Sequence, residues 1–102
     1  MNYATLADGC IVPSKDAPFG YSDELYDGWL WKSGDRVFIS MIVCKNQGRG
    51  DFSRLLAAIE VEGFKVAVPT PSGPMRAILE RKGFKPTWED TEIGPCEVMV
   101  RP

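Results

Sequence analysis

The sequence contains no histidine, and that absence removes more chemistry than any other. Without an imidazole there is no histidine general base, no Ser-His or Cys-His nucleophile pair and no His-containing zinc site. Cysteine is scarce as well. Cys10, Cys44 and Cys96 are odd in number and lack metal-ligand spacing, so no metal is expected and reduced thiols of a cytoplasmic protein are the simple reading. No apolar run approaches the ~20 residues of a membrane span, so no membrane partner is expected. Residues 1–12 carry Asp8 and no basic flank, unlike a secretory signal. Excess positive charge is missing too: a formal charge of −2 argues against general nucleic-acid binding. No low-complexity tract interrupts the 102 residues, a length that suits one domain.

What is present centres on residues 37–56. An apolar, β-like run over residues 37–43 feeds a turn holding Gly48 and Gly50, and a helical pattern follows at once. Phe52, Leu55, Leu56 and Ile59 recur at i, i+3, i+4 and i+7, which puts one apolar stripe on a helix. A strand, a glycine turn and a helix start in series make an anion site. The first N–H groups of the helix lack partners, and its dipole presents its positive end there. Lys45, Arg49 and Arg54 stand near enough in sequence to meet phosphates, although scattered basic residues are also common on any surface.

Around this stretch the chain reads as follows. Residues 3–12 allow a short strand, and the proline- and glycine-bearing residues 13–20 predict a surface loop. Residues 25–31 and 36–43, on either side of Lys32-Ser33-Gly34-Asp35, predict a β-hairpin with Trp29 and Trp31 on one face and Leu30 on the other. Gly63 ends the first helix, and the short apolar run 64–68 predicts a buried strand. That strand closes in Pro69-Thr70-Pro71. Proline cannot donate to a ladder, so its end should lack a neighbour on one side. Ser72 as N-cap and Pro74 in the first turn open a second helix, with Met75, Ile78 and Leu79 as its stripe and Gly83 as its stop. Residues 85–88 and 96–100 predict two last strands joined by an acidic loop, 89–94. The order β-β-α-β-α-β-β specifies an α/β (α+β) fold with a mixed β-sheet, two helices and one clear parallel crossover.

Gln47-Gly48-Arg49-Gly50-Asp51-Phe52 resembles the Q/R-x-x-G-x-G/A signature of the GCN5-related N-acetyltransferases, and Ser53-Arg54-Leu55-Leu56 fits the helix start of that family. The similarity continues in Met75-Arg76-Ala77-Ile78-Leu79-Glu80-Arg81-Lys82-Gly83-Phe84, which looks like the family's second helix closing in Gly-Phe. It spans residues 36–86 in order. The resemblance implies an acyl-CoA N-acyltransferase fold, shortened at its N-terminal end, with acetyl-CoA as co-substrate. It implies contacts to that co-substrate from Met41, Ile42, Val43, Gln47, Gly48, Arg49, Gly50, Asp51, Phe52 and Ser53. A backbone N–H in the 41–43 region would polarise the thioester carbonyl as an oxyanion hole does, and two parallel strands would part near the prolines to admit the pantetheine arm.

The sequence also departs from that pattern. Phe52 stands where the family has a small residue, Asp51 where it has an aliphatic one, and Leu79 where many members have a tyrosine that protonates the leaving thiolate. Ser72 occupies the place of a pantetheine-binding asparagine, and its alternative role is the helix cap. Tyr21 and Tyr26 are candidate replacement acids. The base that frees the acceptor amine is Glu24, Asp27, a C-terminal acid or a water, and the sequence does not choose among them. Three readings follow: an N-acetyltransferase acting on a small amine or a protein lysine, a catalytically degenerate binding or structural module, or an anion-binding regulator. Short members of the family are often dimeric, so a homodimer is an expected assembly.

Overall fold

A computed structural model describes residues 7–46, 48–91 and 94–101 of the chain. Strand β1 (Gly9–Ile11) is followed by a 3-10 turn (Pro18–Gly20), then by β2 (Tyr26–Ser33) and β3 (Arg36–Cys44). Helix α1 (Asp51–Val61), β4 (Lys65–Pro69), α2 (Gly73–Arg81), β5 (Lys85–Thr91) and β6 (Gly94–Val100) complete the order. The strands form one mixed six-stranded sheet, β1-β2-β3-β4-β6-β5, parallel only between β3 and β4.

The predicted hairpin forms as β2 and β3. They pair from Tyr26↔Cys44 to Ser33↔Arg36 around the two-residue turn Gly34-Asp35. Alternation along β2 buries Tyr26, Leu30 and Lys32 and exposes Asp27, Trp29 and Trp31. The register shifts between Trp29↔Met41 and Leu30↔Ile39, which makes Ser40 the extra residue of a bulge in β3. Gly28 lies beside that bulge, where a Cβ would stand 2.2 Å from the carbonyl oxygen of Met41.

Both helices contribute to a single core with one face of the sheet. Leu55, Leu56 and Ile59 of α1 and Leu79 of α2 meet Leu30, Val37, Ile39, Val66, Val68 and Met99. Residues 13–20 form the predicted surface loop, with Lys15, Asp16 and Gly20 exposed, except at Phe19. Their 3-10 turn sets Phe19 edge-on against Phe64, with ring centroids 5.7 Å apart, because an aromatic side chain this large is better buried than solvated. Each helix ends in the same device. Gly63 N–H donates to Glu60 and Phe64 N–H to Ile59; Gly83 N–H donates to Glu80 and Phe84 N–H to Leu79. These are two Schellman caps, each with a buried phenylalanine beyond the glycine, bonded to the last buried residue of the helix, Ile59 or Leu79. Arg101 ties the ends together. Its guanidinium pairs with Glu60, donates to the Lys82 carbonyl and covers the Phe84 ring.

The predicted acidic loop 89–94 is largely strand. β5 runs to Thr91 and β6 starts at Gly94, with Glu89↔Cys96 and Asp90↔Pro95 in register. The charge of Glu89 does not break the strand because Arg36 matches it, Nη1–Oε1 at 2.8 Å and Nη2–Oε2 at 2.6 Å. Arg36 on β3 and Glu89 on β5 lie on the face away from the helices. Their bridge reaches over β4 and β6, whose Ala67 and Val98 are buried on that face.

This pair makes stability pH-dependent in a definite direction. Hydrogen bonding from Arg36 holds the Glu89 carboxyl below its ordinary value. The unfolded chain therefore binds a proton that the folded chain refuses, and the stabilisation, full above the ordinary carboxylate range of about 4.3, is lost as pH falls through the lowered value. Thermal melts from neutral pH to about pH 3 should show a steeper acid-side fall in Tm for the wild type than for Glu89→Gln. Parallel curves would remove Glu89 from this role.

Candidate functional site

β3 and β4 are paired only at Arg36↔Lys65, Val37↔Val66 and Phe38↔Ala67. Beyond Ala67, β4 continues with β6 through Val68↔Met99 and Pro69↔Val98, while β3 continues with β2 to Cys44. The two parallel strands part into a fork. Backbone N–H and C=O groups on the β4 side of β3 therefore face open space over its C-terminal half. Pro69 and Pro71 line the opposite edge of the fork, and neither has an N–H to lose.

The fork is a cavity of about 390 Å³ lined by Ile39 to Ile42 on one side and Val68 to Ser72 on the other, with Met75 of α2. Ile42 and Met75 also line a second groove of about 600 Å³, which leads to the start of α1. Its walls include Val43, Cys44, Asn46, Gly48, Gly50, Asp51, Phe52 and Ser53, with Pro74, Ile78 and Lys82 from α2. The turn enters the helix through Gly48 at φ 81° and Gly50 at φ 77°, conformations that glycine adopts without strain. The groove at the helix N-terminus and glycine turn and the fork of unpaired strand backbone thus adjoin at Ile42 and Met75.

Most residues singled out from the glycine motif line this depression. Met41 lines the fork, Ile42 both cavities, and Val43, Gly48, Gly50, Asp51, Phe52 and Ser53 the larger groove. Arg49 is exposed on the turn, and Gln47 lies outside the described residues. Ser72 lies at the rim of the fork and at the N-cap position of α2, but its side chain makes no capping bond; its carbonyl accepts from Arg76 N–H at 2.7 Å. Three other candidates lie away from both cavities. Glu24 is exposed on the loop before β2. Tyr21 is fully buried, and burial pushes its hydroxyl up to about 12. Tyr26 is buried with its hydroxyl donating to the Asp51 carbonyl at 2.6 Å, and burial, with the Asp51 charge second, raises it too.

Leu79, at the position of the family's acidic tyrosine, does not face the groove. It is fully buried and carries the carbonyl that closes the α2 cap. Counting back from Gly-Phe reaches a core position because the Schellman geometry places the third residue before its cap under the phenylalanine.

The structure adds side chains that motif spacing did not suggest. Lys82, just beyond α2, reaches the α1 start and bonds Ser53 Oγ, so it joins Arg54 as a cation near the turn. Its signal was its place beside the Gly83 cap, and only tertiary packing brought it to another helix. Cys44 also lines the groove, but burial, with Asp51 second, raises its thiol above the usual range and keeps it protonated at neutral pH. Asp51 is the unusual member. It is 3% exposed, its Oδ1 pairs with Arg54, and its Oδ2 has no hydrogen-bond partner among the described residues. Its carboxylate sits at the positive end of the α1 dipole, which favours it there and also competes with any incoming anion. No protein-family model, curated protein or solved structure matches the chain.

The burial of Leu79 sets a clear expectation. Leu79→Tyr inserts a larger ring and a hydroxyl into a filled core, which costs on the order of 1–3 kcal/mol. A lowered Tm with no gain in any turnover is the expected result, by calorimetry and activity measurement. An unchanged Tm would mean that the tyrosine reaches the groove after all.

Proposed function

We propose that the protein is an acetyl-CoA-dependent N-acetyltransferase with a GCN5-related, acyl-CoA N-acyltransferase-like fold. The observation that carries this reading is the fork: β3 and β4 separate after three register pairs, and the gap adjoins, at Ile42 and Met75, the groove that reaches the glycine turn at the start of α1. An elongated molecule with a diphosphate at one end and a thioester at the other matches that path. The N–H groups of residues 48–53, with Lys82 and Arg54, would hold the diphosphate. Ile42, Met75 and Ile78 supply apolar walls for the middle of the chain. The co-substrate provides an activated acetyl thioester.

The protein's own part is positioning and polarisation. A backbone N–H of the 41–43 region, freed from pairing by the fork, stabilises the charge that develops on the carbonyl oxygen. The acceptor nitrogen bonds to the acetyl carbon, the carbon–sulfur bond breaks, the amine releases a proton and the thiolate takes one up. None of the described side chains lining the fork is ionisable, so water carries these protons in this reading. A thiolate needs little help to leave, its parent thiol having a pKa of about 8.5. A second reading, a degenerate module that binds without catalysis, draws support from the buried carboxylate of Asp51 in the groove and from Leu79 in the core.

Acetyl-CoA should raise the melting temperature, since a ligand that binds only the folded state adds about 2.7 kcal/mol at a hundredfold excess over Kd. Gly50→Glu places a carboxylate at the turn and should abolish the rise. Circular dichroism, with Gly50→Asn as a neutral residue that tolerates positive φ, separates this effect from strain. No rise for the wild type at millimolar acetyl-CoA would overturn the proposal.

Asp51 provides an independent check. Asp51→Asn keeps an oxygen for Arg54 and removes the competing charge from the α1 start. Affinity for the diphosphate portion, measured by calorimetry with 3′-dephospho-CoA, should rise by up to about 5-fold, in line with ~1 kcal/mol for a charge at a helix end. A fall would mean that the carboxylate itself binds the ligand.

A further inference from the structure

The helices cover one face of the sheet, and the other face carries large apolar side chains in the open. Trp29 is 42% exposed, Trp31 49%, Met41 51% and Val43 44%. These residues are neighbours across β2 and β3: Trp29 faces Met41, Trp31 faces Phe38 and Asp27 faces Val43. Strand alternation puts Asp27, Trp29 and Trp31 on this one face, with the exposed carboxylate of Asp27 at its end. The bulge at Ser40 keeps Met41 on this face while Met41 also lines the fork. The aromatic face therefore runs into the mouth of the fork through a shared side chain.

We propose that this face is the acceptor site of the transferase, and that it takes an amine with an aromatic or extended apolar body. This rests on the acetyltransferase reading for its catalytic part, but the binding part stands on the face alone. Two indole rings give an apolar body a surface to stack on, and they attract a cation through their π faces. The Asp27 carboxylate, on β2 across β3 from the fork and about 7 Å from Trp29, draws the ammonium form to this face, and the amine leaves it and loses its proton before it reacts at the fork. Met41 then leads toward the fork, where the N–H groups of the 41–43 region on the β4 side of β3 lie.

A second copy of the chain fits this face less well. A standard interface buries about 800 Å² per partner, more than four half-exposed side chains supply. A twofold contact through it would also bring two Asp27 carboxylates near one another. An acidic ligand is disfavoured by the same carboxylate, since the Arg36 guanidinium over Phe38 on this face is already paired with Glu89.

The experiment titrates the wild-type protein with 2-phenylethylamine, ethylamine and phenylacetate, without acetyl-CoA, and follows indole fluorescence and calorimetry. Trp88→Phe serves as the background, because Trp88 is the remaining tryptophan and lies on β5. Phenylethylamine should bind, and ethylamine and phenylacetate should each bind about 10-fold or more weakly, since each lacks one of the two recognition elements. Trp29→Ala and Asp27→Asn should both weaken phenylethylamine by a similar factor while leaving the acetyl-CoA-dependent rise in Tm intact. Asp27→Asn retains the oxygen that accepts from Gly28 N–H, so its fold is preserved. With both ligands present, mass spectrometry should find N-acetyl-phenylethylamine. Binding that ignores Trp29 and Asp27 overturns the inference, as does a concentration-dependent dimer that Trp29→Ala dissociates. If acetyl-CoA raises Tm and no amine binds, the acceptor face fails alone. If phenylethylamine binds through Trp29 and acetyl-CoA does not bind, the face stands and the transferase reading fails.

Discussion

The structure depends on a ladder that stops. Three register pairs join β3 to β4, and then each strand keeps only its other partner. Backbone polar groups left without a partner are costly when buried, so a break of this kind must stay open to solvent or to a ligand. The fold meets that condition with two prolines on one lip, which have no N–H to leave unpaired, and a bulge at Ser40 on the other strand. The cavity between the strands is therefore a consequence of hydrogen-bond geometry rather than of loose side-chain packing.

The helix ends opposite the fork are fastened. Both helices end in the same cap, a left-handed glycine followed by a buried phenylalanine, and Arg101 holds the region of both ends through Glu60 and the Lys82 carbonyl. On the far side of the sheet, Arg36 and Glu89 close over Ala67 and Val98 without a covering layer of helix. Such pairs at the margin of a sheet are worth little in isolation when exposed. Here the bidentate geometry and partial burial of both partners favour a larger contribution.

The two faces of the sheet consequently have different roles. One is sealed by α1 and α2 into the core, and the other is left with tryptophans in water beside the fork. Asp51 expresses a similar tension at the α1 start, where a buried carboxylate occupies the same positive end that a phosphate would use.

Local sequence determined the parts whose cause is local. The hairpin, with Trp29 and Trp31 opposite Leu30, follows from period-two alternation around Gly34-Asp35, and the apolar stripe of α1 from 3.6-residue spacing. The glycine stops and the proline-bearing end of β4 follow from backbone conformations that only those residues permit or forbid. What the sequence could not decide depended on partners far along the chain. Residues 89–91 read as an acidic loop until Arg36, 53 positions earlier than Glu89, supplies the matching charge. Phe19 reads as part of a surface loop until Phe64 receives it, and Leu79 reads both as part of the α2 stripe and as the place of a missing tyrosine until its burial decides for the stripe. Lys82 joins the α1 turn only because α2 brings it to Ser53. Propensity and spacing act over a few residues, whereas burial and charge pairing are settled by which segments meet, and that was decided by the tertiary structure alone.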